Sequence, residues 1–456
     1  MGRNLIFLSF FLLLMPSFGE AAVEISLRGQ KPQRLEEVYI HEGTAYLALD
    51  DVLPLLGLDG RWDSVDHVYR IETHQGTAVV FPGCTYLRRG NHFMPIPHSP
   101  RFIDGRLRVS EDFVRAQLPA FLGLAETNVV ALCGTDEGPA REIAARYGVR
   151  AVYTDYEQML VDVQPDIVSV AAPPPLHNPI TVAALQTGAH VLCEKPLALN
   201  AAEASEMLAE AEQRQRVHVV DFQTRYLPAR YYQRVLTDQG YVGEPVLLEA
   251  TWMTTTHWER ALPWTWWMDA DQLGGILSDM GTHLIDAFCW LSGRRVCAVT
   301  ATLHTTPQYA HRRLPDGGER EVTADDSAML VLEFEGGLRG AITLSAAAAG
   351  ETQRLALHGT EGALVVEDHL RLCGRRRGEA LALIEIPQEY EPPLWLPDEN
   401  LMLGPFARLA GLMVDAIRDR ALIAPPTFAD GLAVQRVLDA AYQSSREGRR
   451  VEIEYP

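Results

Sequence analysis

Two short stretches hold residues whose types and spacing suit acid–base chemistry. The first is L-G-G-I-L-S-D-M-G-T-H-L-I-D-A-F-C-W, from Leu273 to Trp290. Gly274 and Gly275 predict a turn, and Leu277, Met280, Leu284, Ala287 and Phe288 recur behind it at helical spacing. Asp279 and His283, four residues apart, would then project from one face of that helix. A histidine held beside a carboxylate is a natural general base, because its pKa lies near working pH and the carboxylate fixes its tautomer. A capped helix with a surface Asp–His pair is the plainer reading of the same residues. The second stretch, His190-Val-Leu-Cys-Glu-Lys-Pro, reads as an apolar strand ending abruptly in Glu194, Lys195 and Pro196. Strand ends in open α/β sheets are where ligands sit.

Glu-Lys-Pro alone suits any exposed turn. Followed by Gly-Gly-x-x-x-Asp-x-x-x-His, it resembles the Gfo/Idh/MocA family of NAD(P)-dependent sugar and polyol oxidoreductases. The resemblance runs from about Asn128 to the C-terminus. It implies reversible hydride transfer between a sugar-like hydroxyl and a nicotinamide. His283 would take the hydroxyl proton, Asp279 would orient it, and Lys195 would stabilise the developing alkoxide. Ala172-Pro-Pro-Pro-Leu-His177 matches the family's loop along the nicotinamide, making Pro173 and His177, with Glu194 and Lys195, expected cofactor contacts. Phe222-Gln-Thr-Arg-Tyr226 matches the segment entering the substrate domain, so Arg225 and Tyr226 are expected at the substrate. The clusters around Trp258 and Trp264 suit a core, a subunit interface or the flat walls of a sugar site.

The elements that must position these residues can be read from the patterning. Asn128–Cys133 is a continuous apolar strand of the kind buried on both faces. Alternating helices and strands continue from it as far as Phe222, which predicts βαβ units and a parallel sheet. From about Pro245, long alternating strands predict an open, mostly antiparallel sheet with one covered face. The expected fold class is therefore α/β: a truncated Rossmann-like sheet, an α+β domain with a large open sheet, and a small N-terminal α+β domain.

The sequence contains no G-x-G-x-x-G turn, whose helix N-terminus would hold a pyrophosphate. Asn128–Cys133 matches the family's second strand, so its first βα unit is missing. Gly134 and Thr135 stand where the family usually carries an acidic ribose-binding residue, removing the carboxylate that favours NAD over NADP. NAD or NADP is expected to bind weakly, if at all. The missing strand would be the central one, and the expectation is closure of the gap by direct pairing of Asn128–Cys133 with Ile167–Ala171.

Arg3, an apolar run from Leu5 to Met15 and a small-residue end near Gly19 form the order of a secretory signal. Short strands with turn signals from Val23 to about Leu124 resemble the copper amine oxidase N-terminal-like, or stalk, domain; no metal site is implied. The expected domains are a signal peptide (1–21), the stalk domain (22–124), the incomplete Rossmann-like domain (125–243) and the substrate and oligomerisation domain (244–456). The signal implies export with no stable membrane span after cleavage, and the large sheet implies a homo-oligomer. The net charge of −20 argues against nucleic-acid and anionic membrane partners. Six cysteines without metal spacing read as cytosolic usage, at odds with export. Two alternatives are therefore a non-catalytic envelope protein and a fusion of two unrelated gene fragments, cytoplasmic if the N-terminal part is an artefact.

Overall fold

The computed structural model describes residues 117–455 apart from 125, 136, 256–263, 308–310, 314–317, 349, 394–400 and 420–423, together with the strands of the N-terminal part. The chain divides into two compact units, Met1–Arg106 and Leu107–Pro456.

In the first unit, β1 (Val23–Ile25) pairs antiparallel with β2 (Gln33–Leu35), and β3 (Tyr39–His41) with β4 (Thr44–Tyr46). A five-stranded antiparallel meander comes next: β5 (Asp59–Asp63), β6 (Val68–Thr73), β7 (Gly76–Val80), β8 (Tyr86–Arg89) and β9 (His92–Pro95). The expected signal segment 1–21 lies outside the described residues.

Among the described residues of the second unit, α1 (Leu118–Gly123) is the first element. Then come β10 (Ala131–Cys133), α2 (Glu137–Tyr147), β11 (Ala151–Tyr153), α3 (Tyr156–Val163), β12 (Ile167–Val170), α4 (His177–Gln186), β13 (His190–Cys193), α5 (Ala201–Gln213) and β14 (His218–Val220). Local chemistry explains the helix starts. The Asp155 carboxylate accepts from the backbone N–H groups of Glu157 and Gln158, and Asn200 accepts from Glu203 N–H.

The parallel strands do not form one sheet. β10 pairs with β11, while β12, β13 and β14 form a separate three-stranded sheet. Among the described residues no ladder joins Asn128–Cys133 to Ile167–Ala171, so the expected closure does not occur. Closure would be driven by burial, and β10 has little to bury: Leu132 is its one buried residue, Cys133 is exposed, and Val130 just ahead is 45% exposed. Backbone groups on an edge that faces water carry no desolvation penalty, so the gap need not close.

The second half holds α6 (Pro228–Asp238), β15 (Pro245–Met253), α7 (Thr282–Ser292), β16 (Val296–His304), β17 (His311–Arg313), β18 (Glu319–Glu321), β19 (Ser327–Phe334), β20 (Arg339–Ser345), β21 (Thr352–Gly359), β22 (Gly362–Glu367), β23 (Arg371–Arg376), β24 (Ala382–Leu383), α8 (Leu403–Ile417), α9 (Phe428–Glu447) and β25 (Val451–Glu452). Nine strands make one open sheet in the order β24-β23-β22-β21-β15-β20-β19-β16-β25, antiparallel except where β15 meets β20. This is the open sheet expected. Strict alternation puts Ala328, Leu330 and Leu332 of β19 in the core and leaves Met329 and Val331 on the other face. α7 and α9 cover the core face. A second core joins Phe121 of α1 to Phe406 of α8 edge to face, with Leu192, Val219 and Tyr226 around them. No helix among the described residues is long and apolar enough to cross a membrane.

Candidate functional site

The glycine turn before α7 is set by close approach. A Cβ at Gly274 would lie 2.1 Å from the Trp267 carbonyl oxygen, and one at Gly275 would lie 2.5 Å from Asp325 Oδ1. Gly275 also has φ +105°, a region side chains rarely adopt. Asp325 pins the two residues after this turn: its carbonyl accepts from Ile276 N–H at 2.9 Å and its carboxylate from Leu277 N–H at 2.9 Å. Burial pushes this carboxyl up to about 7 despite those bonds. Sequence reasoning did not single out Asp325.

Leu277–Gly281 winds as a π turn before the α-helix begins at Thr282. Its wider i→i+5 bonding alters the stacking expected of residues four apart. Asp279 accordingly engages other groups than His283. One carboxylate oxygen takes the Lys195 ammonium as an ion pair, and the other accepts from the Trp267 indole N–H at 3.0 Å. Lys195 thus arrives from the end of β13, and Glu194 beside it is buried, its carboxylate accepting from Lys195 N–H at 3.1 Å. The Lys195–Pro196 peptide is cis.

His283 is buried against Phe222, with rings edge to face at 6.4 Å, and against Trp252 of β15, stacked at 6.3 Å. Its Nδ1 lies 3.3 Å from Thr224 Oγ1. The expectation that Asp279 orients His283 therefore gives way to Thr224. With Nδ1–H donating to that hydroxyl, Nε2 remains as the proton acceptor. Burial, helped by Lys195, Arg230 and His369, holds His283 well below the ordinary imidazole range. The ring is neutral, as a general base must be.

Other expected site residues are placed differently. Arg225 is buried; its guanidinium donates to Asp286 through Nε at 2.8 Å and also through Nη2, which reaches Asp430 at 2.9 Å. Burial opposes that charge, and the two carboxylates more than reverse the effect, while burial pushes Asp286 up to about 6. Arg225 therefore ties α7 and α9 to the segment after β14 instead of reaching substrate. Tyr226 is 3% exposed in the second core. His177 is buried with one ring nitrogen 2.9 Å from the Pro196 carbonyl and the other 2.7 Å from that of Ala172, so it braces the loop against the Lys195–Pro196 turn rather than facing a cofactor. Pro173 precedes a short helical turn in that loop. Trp264 donates to the Glu321 carbonyl at 3.2 Å and carries Arg320 on its ring at 3.7 Å, which secures the β17–β18 hairpin. Trp258 lies outside the described residues. Gly134 extends the β10 ladder, its N–H donating to the Tyr153 carbonyl, and Thr135 is exposed beyond it.

Gln117 was not foreseen. Its side chain lies across the carboxyl ends of the three-stranded sheet. The amide nitrogen donates to Glu194 at 2.5 Å and reaches Asp221 at 3.3 Å, and the amide oxygen accepts from the Ser169 hydroxyl at 2.7 Å. Neither α1 nor Gln117 carries a motif; only the fold brings them there.

Residues 112–222 match a family model described as an oxidoreductase family with an NAD-binding Rossmann fold, and residues 233–365 match the Gfo/Idh/MocA C-terminal domain. The chain belongs to the Gfo/Idh/MocA oxidoreductases. It is 28% identical over 341 residues to levoglucosan dehydrogenase of Pseudarthrobacter phenanthrenivorans, covering 69% of this chain and 86% of that one. It is 28% identical over 345 residues to human glucose-fructose oxidoreductase domain-containing protein 2, covering 72% and 87%. Among solved structures, an oxidoreductase domain protein from Kribbella flavida is similar with TM-score 0.68 and 28% identity, covering 75% of this chain and 96% of that one. NAD(P) is the cofactor of this family. The residues present fit its nicotinamide end, where buried Glu194 and the Lys195–Asp279 pair close off β13. They offer no glycine turn to its pyrophosphate.

Proposed function

We propose that this Gfo/Idh/MocA protein oxidises a hydroxyl of a sugar or polyol with NAD(P), and that it grips the cofactor more weakly than relatives with a complete Rossmann sheet. The observation that carries the reading is the neutral, buried His283 beside the Lys195–Asp279–Trp267 cluster. The levoglucosan dehydrogenase relative supports the substrate class.

His283 Nε2 takes the proton of the reacting hydroxyl. Lys195 donates to the developing alkoxide, its ammonium positioned by Asp279, which Trp267 holds in turn. Thr224 keeps the base in its tautomer. The chemistry NAD(P) supplies when bound is acceptance of the hydride from the same carbon. The weak grip is supported by the missing glycine turn and by Gln117 lying across the strand ends. Formation of NADH or NADPH by the purified full chain on a panel of sugars and polyols, levoglucosan included, tests the reading. No turnover at millimolar cofactor would overturn it in favour of a non-catalytic protein.

Homo-oligomerisation through the open face of the large sheet is part of the proposal, supported by Met329 and Val331, 63% and 52% exposed on β19. A monomer by light scattering would refute it. Export, with the first unit as a stalk, rests on the leader-like N-terminus. A fusion of two gene fragments has one observation in its favour: the unit boundary at Arg106–Leu107 adjoins the start of the family match at residue 112. Sequencing reads across codons 100 to 130 separate the two.

A further inference from the structure

Trp252 of β15 is bordered by more than His283. The Arg230 guanidinium of α6 lies 5.7 Å from its ring and the His369 ring lies 4.8 Å away. Gln353 is its cross-strand neighbour on β21, and the Gln353 side-chain oxygen accepts from His369 N–H at 2.9 Å. Arg230 is 1% exposed and Gln353 5%. Among the described residues, none of the three side-chain nitrogens of Arg230 bonds to another protein group, nor does Gln353 Nε2 or His369 Nδ1. The carboxylate acting on Arg230 is that of Asp286, whose oxygens are both engaged by Arg225.

A buried guanidinium without a hydrogen-bond partner is costly and calls for a water, an ion or a ligand to answer it. Among the described residues, the Arg230 guanidinium nitrogens, the Gln353 amide nitrogen and the His369 ring nitrogen lack partners beside Trp252, and one oxygen, Gln233 Oε1 further along α6, lacks one too. Burial and Arg230 push His369 down to about 3, so it is neutral and Arg230 is the fixed positive charge of this cluster. A planar guanidinium pairs bidentately with a carboxylate, and one fixed positive charge balances a monoanion but leaves a phosphate dianion half-compensated. His369 itself sits at φ +63° beside Asp368 at +50°, in the tight turn between β22 and β23.

We propose that the substrate is a sugar acid, whose carboxylate is bound by Arg230 beside Trp252, with Gln353 and His369 completing the donor set. This rests on the sugar-oxidoreductase reading for the reacting end: His283 and Arg230 border the same indole, so the hydroxyl and the carboxylate belong to one small molecule.

Calorimetric titration of the full chain, without cofactor, with D-glucuronate, D-glucose and D-glucose 6-phosphate tests it. Glucuronate is expected to bind at least about tenfold more tightly than glucose, a difference of about 1.4 kcal/mol. Arg230→Met should abolish that preference while melting no lower than the wild type, because it removes an uncompensated buried charge. Arg230→Lys keeps the charge without the fork and should retain part of the preference. Equal binding of glucose and glucuronate, or a preference undiminished in both variants, would overturn the proposal. Tighter binding of glucose 6-phosphate than of glucuronate would overturn the carboxylate assignment. Selective glucuronate binding without any nicotinamide-linked turnover would refute the oxidoreductase reading and leave the anion site standing.

Discussion

The two halves of the second unit treat their backbone differently. The C-terminal half is continuous: nine strands pair without interruption from β24 to β25, and α7 enters over them from a turn pinned by Asp325. The parallel half is broken into a pair and a triplet of strands, with Gln117 reaching across the ends of the triplet. The groups suited to proton chemistry lie in the continuous half or at its border with the triplet, at the end of β13 and in the segment after β14. The glycine turn that would hold a pyrophosphate is absent from the sequence. Chemistry and cofactor affinity should therefore fail independently.

The largest expected effect lies on the chemical side. Lys195→Met removes the charge facing the developing alkoxide and should lower kcat by roughly 10²–10³-fold. NADH affinity, followed by fluorescence, should change by less than about twofold, within roughly 0.4 kcal/mol. Loss of cofactor binding on the same scale as kcat would erase the distinction between the halves.

Next comes the turn that sets α7. Gly275→Ala places a Cβ 2.5 Å from Asp325 Oδ1 at φ +105° and should cost about 1–3 kcal/mol in urea unfolding. An unchanged midpoint would mean that the start of α7 tolerates movement, and that the continuous half is looser than its pairing suggests.

The parallel half makes the third prediction. NADH and NADPH should bind at least about tenfold more weakly than to an intact relative measured alongside, a deficit of about 1.4 kcal/mol or more. Micromolar binding of either would show that the split half retains a working pyrophosphate site.

The smallest effect is a pH dependence. Asp325 has its folded pKa raised to about 7, above its unfolded value. Its contribution to stability is therefore fully present below about pH 4 and is lost as pH rises through about 7. Asp325→Asn should flatten the dependence of the melting temperature on pH between those limits. His283 acts in the opposite sense: its depressed pKa destabilises the fold as pH drops below about 6.5, where the unfolded histidine takes up a proton. A melting curve whose pH dependence survives Asp325→Asn unaltered would assign it elsewhere.

Local spacing made part of the site legible. Leu277, Leu284 and Phe288 mark a helix with a buried face by periodicity alone, and the abrupt change from Cys193 to Glu194-Lys195 marks a strand end. Both depend on interactions between near neighbours along the chain, which residue order encodes directly. The same reasoning paired Asp279 with His283, and a π turn undid it. It also gave Arg225 to the substrate, because nothing local shows that Asp286, 61 residues away, would meet its guanidinium.

By itself, then, the sequence pointed to the family and to the class of each half, showed no glycine turn for a pyrophosphate, and singled out Lys195, Asp279 and His283 as candidates. Tertiary structure alone decided which partner each of the three would have, that the parallel strands would stay apart, and that Gln117 would bond Glu194, 77 residues further along the chain. It alone left Arg230 buried beside Trp252 with no hydrogen-bond partner among the described residues. Such outcomes turn on whether burial rewards a long-range contact: Leu132 alone is buried on β10, too little to close a sheet, whereas packing across the nine-stranded sheet is enough to hold Arg230 out of water.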